Sequence, residues 1–317
     1  AYSQTLPPDA AHMIHLGLTS SDVQDYADLE MLKMSTGVIL GYLRNIIIEL
    51  AGIVNRYCST PVIGRTHLQP AEPTTLGLRM AVYLEQLCKA AVRLSRLYAN
   101  FPTKGLRGAV GSMANIKMTD LDENKMHGDI PPGSILATGQ TYPRQTDLRI
   151  AQIISDIACT LHKLSLDMRI MATEPYVVKK SDGVGSSAMP GKINPQNWEK
   201  VTGISRLLPD MTSSIWHMAA SSMLERTLDD SSTRRIVLPQ LFYAISECLR
   251  TSTQELHRFE IDEVDALQQV YENWRAWLPS RLLTHRQLKF GLQDRRAIHR
   301  EITEFSNKAR TTLTEFL

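Results

Sequence analysis

The 317-residue sequence lacks several patterns that identify common classes of protein. It has no cysteine pair at CxxC spacing and no HExxH run, so the usual zinc and redox motifs are missing. Neither a GxGxxG nor a GxxxxGKS-type loop occurs, which argues against dinucleotide and P-loop binding. Basic and acidic residues number 35 and 33, and no dense run of lysines and arginines marks a nucleic-acid surface. We therefore expect no metal, no cofactor and no nucleic-acid partner.

The sequence also lacks closely spaced cysteines and signals for membrane insertion or secretion. No apolar run predicts a membrane-crossing helix, and no secretory signal opens the chain. The four cysteines are widely spaced in apolar segments, at Cys58, Cys88, Cys159 and Cys248. We expect them to be buried free thiols in a reducing compartment, and the protein to be cytoplasmic with no membrane partner.

The apolar residues that are present have the spacing of long helices. Helical periodicity runs through five segments, residues 22–58, 74–100, 144–173, 197–222 and 231–258. We expect the fourth to bend near Pro209. Strand-like alternation is nearly absent, and several segments are apolar on more than one side, as in a multi-helix bundle or an oligomer. The sequence therefore predicts an all-α fold, a long-helix bundle followed by a small C-terminal helical domain.

Polar residues gather in five segments between these helices. They are HLGLTSSDVQD (residues 15–25), GRTHLQPAEPTTLG (64–77), GQTYPRQTD (139–147), GSSAMPGKINP (185–195) and ERTLDDSSTRR (225–235). Taken singly, the first is best interpreted as a helix cap, His67 in the second as a solvated side chain, and the last as a charged helix start. Together they favour an anion-binding site, because all five lie at ends or bends of the long helices and all offer hydrogen-bond donors to anions.

These segments resemble known motifs. The fourth resembles the signature loop of the aspartase/fumarase superfamily, and the second resembles its histidine loop. The other three, with GLRGAVGS at residues 105–112, resemble the adenylosuccinate lyase family within it. The resemblance covers about residues 15–250 in the right order. It implies a C–N lyase of purine and AMP biosynthesis that releases fumarate from succinyl-adenylate, and similarly from succinyl-aminoimidazole-carboxamide ribotide, by β-elimination.

The resemblance also implies a role for each matching residue. Ser186 would be the catalytic base, with its anion stabilised by loop amides and Lys192, and His67 would be the general acid. Lys192 and Asn194 would hold the succinyl carboxylates, with Gln140 on the succinyl group. The other implied substrate-binding residues are His15, Thr19, Ser20, Ser21 and Thr66, and, at the nucleotide end, Arg226, Ser231 and Arg235.

The same resemblance guides the expected organisation. We expect residues 1–20 to be the remnant of an N-terminal domain, residues 21–258 the central bundle, and residues 259–317 the C-terminal helical domain. The family's Thr-x-His-Asp stretch has no match, so we expect the chain to be N-terminally incomplete. Because four chains of this superfamily share one central bundle, we predict a homotetramer whose active sites are shared between subunits.

Two alternatives stay open at this point. One is a sister lyase of the superfamily, acting on argininosuccinate or fumarate. The other is a catalytically silent homologue retained as a structural subunit. The segment ERTLDDSSTRR favours a phosphate-bearing substrate over the first, because arginine grips phosphate with two parallel hydrogen bonds. The intact His67, Ser186, Lys192 and Asn194 argue against the second.

Overall fold

The computed structural model describes residues 2–11, 14–117, 134–178, 189, 192–290 and 296–304. Most of these residues are helical, so the predicted all-α fold is confirmed. The α-helices are α1 (Pro8–Ala11), α2 (Ser20–Arg56), α3 (Leu76–Ala99), α4 (Ala114–Lys117), α5 (Gln145–Met171), α6 (Gln196–Ser205), α7 (Leu207–Ser221), α8 (Asp229–His257), α9 (Glu263–Glu272) and α10 (Trp274–Phe290). Residues 2–5 form a 3₁₀ helix, and residues 296–304 are also helical.

Periodicity located four of the five predicted helices, α2, α3, α5 and α8, to within about two residues at each end. The remaining one is instead two helices, α6 and α7, which meet at Arg206. Pro209 accounts for the break, because it lacks the N–H that would bond to the carbonyl of Ser205 and its ring crowds that carbonyl. The interruption therefore falls before the proline and not at it.

Helix α2 continues for 37 residues without a proline. Its buried side chains, which include Leu32, Ile39, Leu43 and Ile46, recur at helical spacing. Contrary to the expectation from the sequence, α2 is long and apolar enough to cross a membrane, a test that core helices of soluble proteins also pass. Its first turns hold aspartates in buried ion pairs, which a helix surrounded by lipid rarely carries.

A hairpin lies between α2 and α3, where the sequence predicts only a loop. Strands β1 (Pro61–Thr66) and β2 (Gln69–Thr75) pair antiparallel. A register shift between Ile63 and Arg65, with two prolines in β2, removes the alternation by which a strand is recognised. At Gly64 a Cβ atom would stand 2.5 Å from the carbonyl oxygen of Glu72, so this close approach requires glycine.

The described residues form two compact units. Unit 1 takes them from 1–49, 83–169 and 195–257, and unit 2 from 50–82, 170–194 and 258–317. Fully buried core residues include Leu43, Ile46, Leu87 and Ile150 in unit 1, and Val62, Met80 and Tyr176 in unit 2. Each unit combines separate segments, whereas the three domains expected from the sequence are consecutive pieces, and those boundaries stay predictions.

The cysteines are all free thiols, but only one is buried. Cys248 is buried and Cys88 half-buried, whereas Cys58 and Cys159 are exposed, so the expectation of four buried thiols is wrong. Burial raises the pKa of Cys248 to about 12, which keeps that thiol protonated and unreactive.

Candidate active site

The first polar segment caps α2 in unit 1. The main-chain N–H of Thr19 donates to Oδ2 of Asp22 at 2.9 Å, and the Thr19 hydroxyl donates to the same oxygen. The main-chain N–H groups of Arg107 and Gly108 also donate to this carboxylate, at 2.9 and 3.2 Å. Burial opposes the charge of Asp22, but these bonds and Lys104 prevail and lower its pKa. The helix-cap interpretation is confirmed, and the cap also fixes the GLRGAVGS segment.

Arg144 is a buried cation just before α5. Its Nε donates to Asp230 at 2.7 Å, and its Nη1 donates to Asp25 at 3.3 Å. The three side chains are at most 6% exposed. Burial and the charge of Arg234 oppose the charge of Arg144, but Tyr142, Asp25 and Asp147 prevail and raise its pKa. The guanidinium therefore stays charged, and its charge is compensated inside the protein.

Arg234 is a second buried cation, on α8. It donates to Asp147 and to Asp28, both at 2.8 Å, and also to the hydroxyl of Tyr142. Tyr142 in turn donates to Asp147 at 2.8 Å, and the guanidinium carbon of Arg144 lies 4.3 Å from the centre of its ring. Burial and the charge of Asp147 raise the pKa of Tyr142 well above its usual value, so the phenol keeps the proton that it donates.

A cavity of about 540 Å³ lies in unit 1 between α2 and α8. Arg144 and Arg234 line it together with Asp25 and Asp28. Its apolar lining consists of Met31, Leu32, Leu238, Pro239, Phe242 and Tyr243. The volume is in the range of small-molecule sites, and so is the combination of an apolar wall with a few polar groups.

Three predicted residues line the same cavity, Arg226, Ser231 and Arg235. Ser231 lies in the first turn of α8 and Arg235 one turn later, so the two share a face of the helix. Arg226 is half-buried and Arg235 is exposed. Unlike Arg144 and Arg234, neither has an ion pair or hydrogen bond within the part of the chain that the structure describes. Their charges are therefore available to an anionic ligand.

Gln140 connects three of the polar segments. Its main-chain N–H donates to the carbonyl oxygen of Glu225 at 3.0 Å, and Ser21, which lines the cavity, donates its hydroxyl to Oε1 of Gln140 at 3.5 Å. The approach is close, since a Cβ atom on Gly139 would stand 2.6 Å from the carbonyl oxygen of Glu225. The first, third and fifth segments thus meet, as a shared site requires.

His67 lies at the tip of the β1–β2 hairpin in unit 2. Thr66 pairs with Gln69, so His67 and Leu68 are the two turn residues, with φ of 52° and 62°. Positive φ at both positions is typical of a type I′ turn, which usually holds Asn-Gly and is strained for histidine and leucine. The short turn therefore holds an exposed imidazole at a defined position.

An ion pair supports this tip. Arg65 donates from Nε and Nη2 to the two oxygens of Glu174, at 2.7 and 3.1 Å, and from Nη1 to the carbonyl oxygen of Leu68 at 3.4 Å. Gln269 donates to Glu174 at 2.7 Å. Burial opposes the charge of Glu174, but these bonds and the charge of Arg65 prevail and lower its pKa.

The remaining predicted residues are less constrained. Lys192 is exposed and Asn194 half-buried, in the residues that precede α6 in the chain, and the Lys192 main-chain N–H donates to the carbonyl oxygen of Met189 at 3.1 Å. Ser186, the predicted base, lies outside the described residues. His15 and Ser20 are exposed. The catalytic and binding roles of all the predicted residues stay predictions.

Sequence reasoning missed Arg144, Arg234 and the aspartates that pair with them. One signal was present, because Asp25 and Asp28 recur every third residue with Asp22, which pairs with Lys104, and residues at this spacing are neighbours on the surface of a helix. Carboxylates at this spacing indicate either a solvent-exposed acidic surface of the helix or ion pairs with buried cations. The sequence does not distinguish the two, because the cations come from distant segments.

Comparison with known proteins agrees with these motifs. A family model described as "Lyase" matches residues 3–208. The chain is similar to the adenylosuccinate lyases of Schistosoma mansoni (38% identity over 257 residues) and Saccharomyces cerevisiae (36% over 262 residues). These alignments cover 76% and 77% of this chain and 53% of each relative. The chain thus spans about half the length of the curated relatives it matches.

Solved structures with the same fold carry other activities in their names. A fumarate lyase from a Mesorhizobium species has a TM-score of 0.81 at 20% identity. A 3-carboxy-cis,cis-muconate lactonizing enzyme from Pseudomonas putida has a TM-score of 0.81 at 21% identity. Both matches cover 96% of this chain and 68% of the other. At such identities the likeness establishes the fold alone.

Proposed function

The chain belongs to the lyase family whose model matches its residues 3–208, and on that premise we propose that the protein is an adenylosuccinate lyase. It releases fumarate from adenylosuccinate by β-elimination and leaves AMP. The names of its curated relatives support this assignment. We extend the proposal to the succinyl-aminoimidazole-carboxamide ribotide, which presents the same succinyl-amine and ribose phosphate, and to a place in purine biosynthesis.

One observation carries the proposal, the presence of two uncompensated guanidiniums beside a serine hydroxyl in the unit 1 cavity. A phosphate monoester has nearly two negative charges and three acceptor oxygens, which match Arg226, Arg235 and Ser231. The apolar wall of the cavity suits the flat face of a purine or imidazole base. Because Arg144 and Arg234 are neutralised by aspartates, the positive charge that the described lining of the cavity offers to a ligand belongs to Arg226 and Arg235.

The reaction needs three kinds of group, and the motif residues supply them. A base, Ser186, removes a proton from the carbon next to a carboxylate. The C–N bond then breaks, and an acid, His67, protonates the departing nitrogen. Lys192 and Asn194 hold the two carboxylates while negative charge develops, and Gln140 binds the succinyl group. His15, Thr19, Ser20, Ser21 and Thr66 complete the set of donors.

We also propose a homotetramer in which His67 and Ser186 of one site come from different subunits. Exposed apolar side chains along α2 support an oligomer, since Val23, Tyr26, Met34 and Val38 are each 56–69% exposed. A second copy of the chain would cover such a row. A cytoplasmic location belongs to the same proposal, and the four free thiols support it.

The test is fumarate release from adenylosuccinate by the full-length protein. Ser186→Ala should lower kcat by about a hundredfold to ten-thousandfold and leave substrate binding nearly unchanged. Arg235→Ala should instead weaken binding by about 1.5–3 kcal/mol and raise KM, because its contact is made in the ground and transition states alike. Arg96→Ala, at an exposed position late in α3, is the matched control and should leave KM unchanged.

Two results would contradict the assignment. Absence of fumarate release would exclude the activity. If Ser186→Ala loses activity but Arg235→Ala leaves the KM for adenylosuccinate unchanged, the support for a phosphate-bearing substrate is removed. A sister lyase acting on a substrate without phosphate would then be the better assignment.

A further inference from the structure

Lys104 is a buried ammonium that the proposed chemistry does not use. Its side chain is 1% exposed, and it lies in unit 1 immediately before the GLRGAVGS segment. Lysine is almost never fully buried unless its charge is paired and its protons are bonded, because removal of an ammonium from water is costly. A buried lysine at this place therefore points to a specific task.

All three protons of this ammonium have acceptors. Nζ of Lys104 donates to the main-chain oxygen of Gln140 at 2.5 Å, to Oδ2 of Asp25 at 3.1 Å and to the main-chain oxygen of Ser21 at 3.3 Å. Oδ1 of Asp22 lies 3.2 Å away and adds a second carboxylate. Because an ammonium has three donors and no acceptor, its hydrogen-bonding capacity is filled, and none remains for a ligand.

Two of these acceptors belong to residues of the candidate site. The carbonyl of Gln140 is held by Lys104 and its N–H by the carbonyl oxygen of Glu225, so both polar groups of its main chain are fixed. Ser21 is held at its own carbonyl and directs its hydroxyl at Oε1 of Gln140. Lys104 is therefore one of the groups that set the main-chain position of Gln140, and through it the position of the Gln140 amide.

We propose that Lys104 is a positioning residue for the succinyl end of the substrate. It places Gln140 and Ser21 through their main-chain carbonyls and touches no substrate atom itself. The inference rests on the proposed function, and deepens it by identifying the group that sets the geometry of Gln140.

A positioning role through Gln140 affects the succinyl end more than the nucleotide end, because Lys104 bonds to Gln140 and contacts none of Arg226, Ser231 and Arg235. Fumarate is formed from the succinyl end of the substrate and binds where that end binds. AMP is formed from the nucleotide end and binds through Arg226, Ser231 and Arg235. Loss of Lys104 should therefore weaken fumarate binding at least tenfold and AMP binding less than threefold. A general loosening of the fold would weaken both by similar factors, so the ratio of the two separates positioning from stability.

The experiment measures binding of AMP and of fumarate to full-length protein by calorimetry, for wild type, Lys104→Met and Lys104→Arg. Lys104→Met removes the cation, which leaves the buried Asp22 without its ion pair and Asp25 with Arg144 alone, and this threatens folding. Lys104→Arg keeps the charge but replaces the three protons of an ammonium with a planar fork of different geometry, so it carries the comparison if the first variant does not fold. Lys89→Met is the control, because Lys89 pairs with Glu85 at 2.6 Å and both side chains are 62% exposed.

The expected result is a selective loss of fumarate binding and a lower kcat in Lys104→Arg. Lys89→Met should keep the wild-type affinities and kcat. If the Lys104 variants lose affinity for both ligands by the same factor, or for neither, the inference is overturned but the proposed function is not. Wild-type protein that binds neither AMP nor fumarate would overturn the proposed function and the inference with it.

Discussion

The cavity of unit 1 and the hairpin tip of unit 2 present polar groups in opposite ways. In the cavity, Arg144 and Arg234 are buried and compensated by aspartates, and two further arginines remain for a ligand. At the tip, the imidazole of His67 is exposed, and its position is set by a strained two-residue turn. One region prearranges charge by burial and pairing, and the other fixes a single titratable ring through the backbone.

This difference matches the needs of binding and of proton transfer. A dianion is bound well when the cations around it are oriented beforehand, since little freedom is then lost on binding. A proton donor needs the right pKa range, a defined position and access for the substrate. We therefore expect changes at the tip to act on turnover, and changes behind the cavity to act on stability.

The largest expected effect is on turnover at the tip. His67→Gln keeps a polar side chain of similar size but removes proton transfer, so kcat for adenylosuccinate should fall by about a hundredfold to ten-thousandfold with KM little changed. Steady-state kinetics would check this. His257→Gln is the control, because His257 is 75% exposed and lies 3.2 Å from Glu49 in unit 1. A loss of less than threefold in His67→Gln would show that the tip does not supply the acid.

The next largest effect is on the stability of the protein, through the ion pairs of Arg234 in the cavity lining. Arg234→Met leaves Asp28 and Asp147 without their cation, and removal of one partner from a buried pair costs about 3–5 kcal/mol. Urea denaturation should show that loss in the free energy of unfolding. Arg250→Met, which breaks an exposed pair with Glu247, should cost less than about 1 kcal/mol. Equal losses in the two variants would contradict the distinction between compensated and exposed arginines.

A smaller effect, on stability and dependent on pH, is expected at Glu174, which pairs with Arg65 of the hairpin. The folded-state pKa of Glu174 is lowered, so its contribution to stability is present above its unfolded value of about 4.3 and is lost as the pH falls through the folded value. Glu174→Gln should cost about 1.5–3 kcal/mol at pH 7, the value of hydrogen bonds to a charged group.

Denaturation of both proteins from pH 7 down to pH 3 is the measurement. The difference between wild type and Glu174→Gln should shrink below about pH 4.3. Glu85→Gln, at a site 62% exposed, should show no such dependence. A constant difference across this range would mean that the charge of Glu174 does not stabilise the hairpin.

The smallest effect is expected in the turn itself. Leu68→Gly removes a strain of about 1–2 kcal/mol for a left-handed residue and adds about 0.5–1 kcal/mol of chain entropy, so a net gain of about 0.5–1 kcal/mol is expected. Thermal denaturation would detect it. Leu136→Gly, at a residue 82% exposed and without positive φ, should not stabilise the protein. A destabilised Leu68→Gly would show that the turn is not strained.

The sequence predicted what depends on neighbours along the chain. Helix ends followed from periodicity, and the cap at Thr19 followed from residues within one turn. The ion pairs could not be predicted in this way, because Asp25 and Arg144 are 119 residues apart and Asp28 and Arg234 are 206 apart. The hairpin was missed for a different reason, since a His-Leu turn lacks the Asn-Gly signal of the I′ geometry.

The contact between Gly139 and Glu225 has a consequence for the gene. A Cβ atom at position 139 would stand 2.6 Å from the carbonyl oxygen and 2.8 Å from the Cα of Glu225, and neither main-chain atom is free to turn aside. Every amino acid that a single-base change makes from a glycine codon brings such an atom. Codon 139 should therefore accept only synonymous changes in a saturation library, whereas codon 136, for a leucine 82% exposed, should accept many.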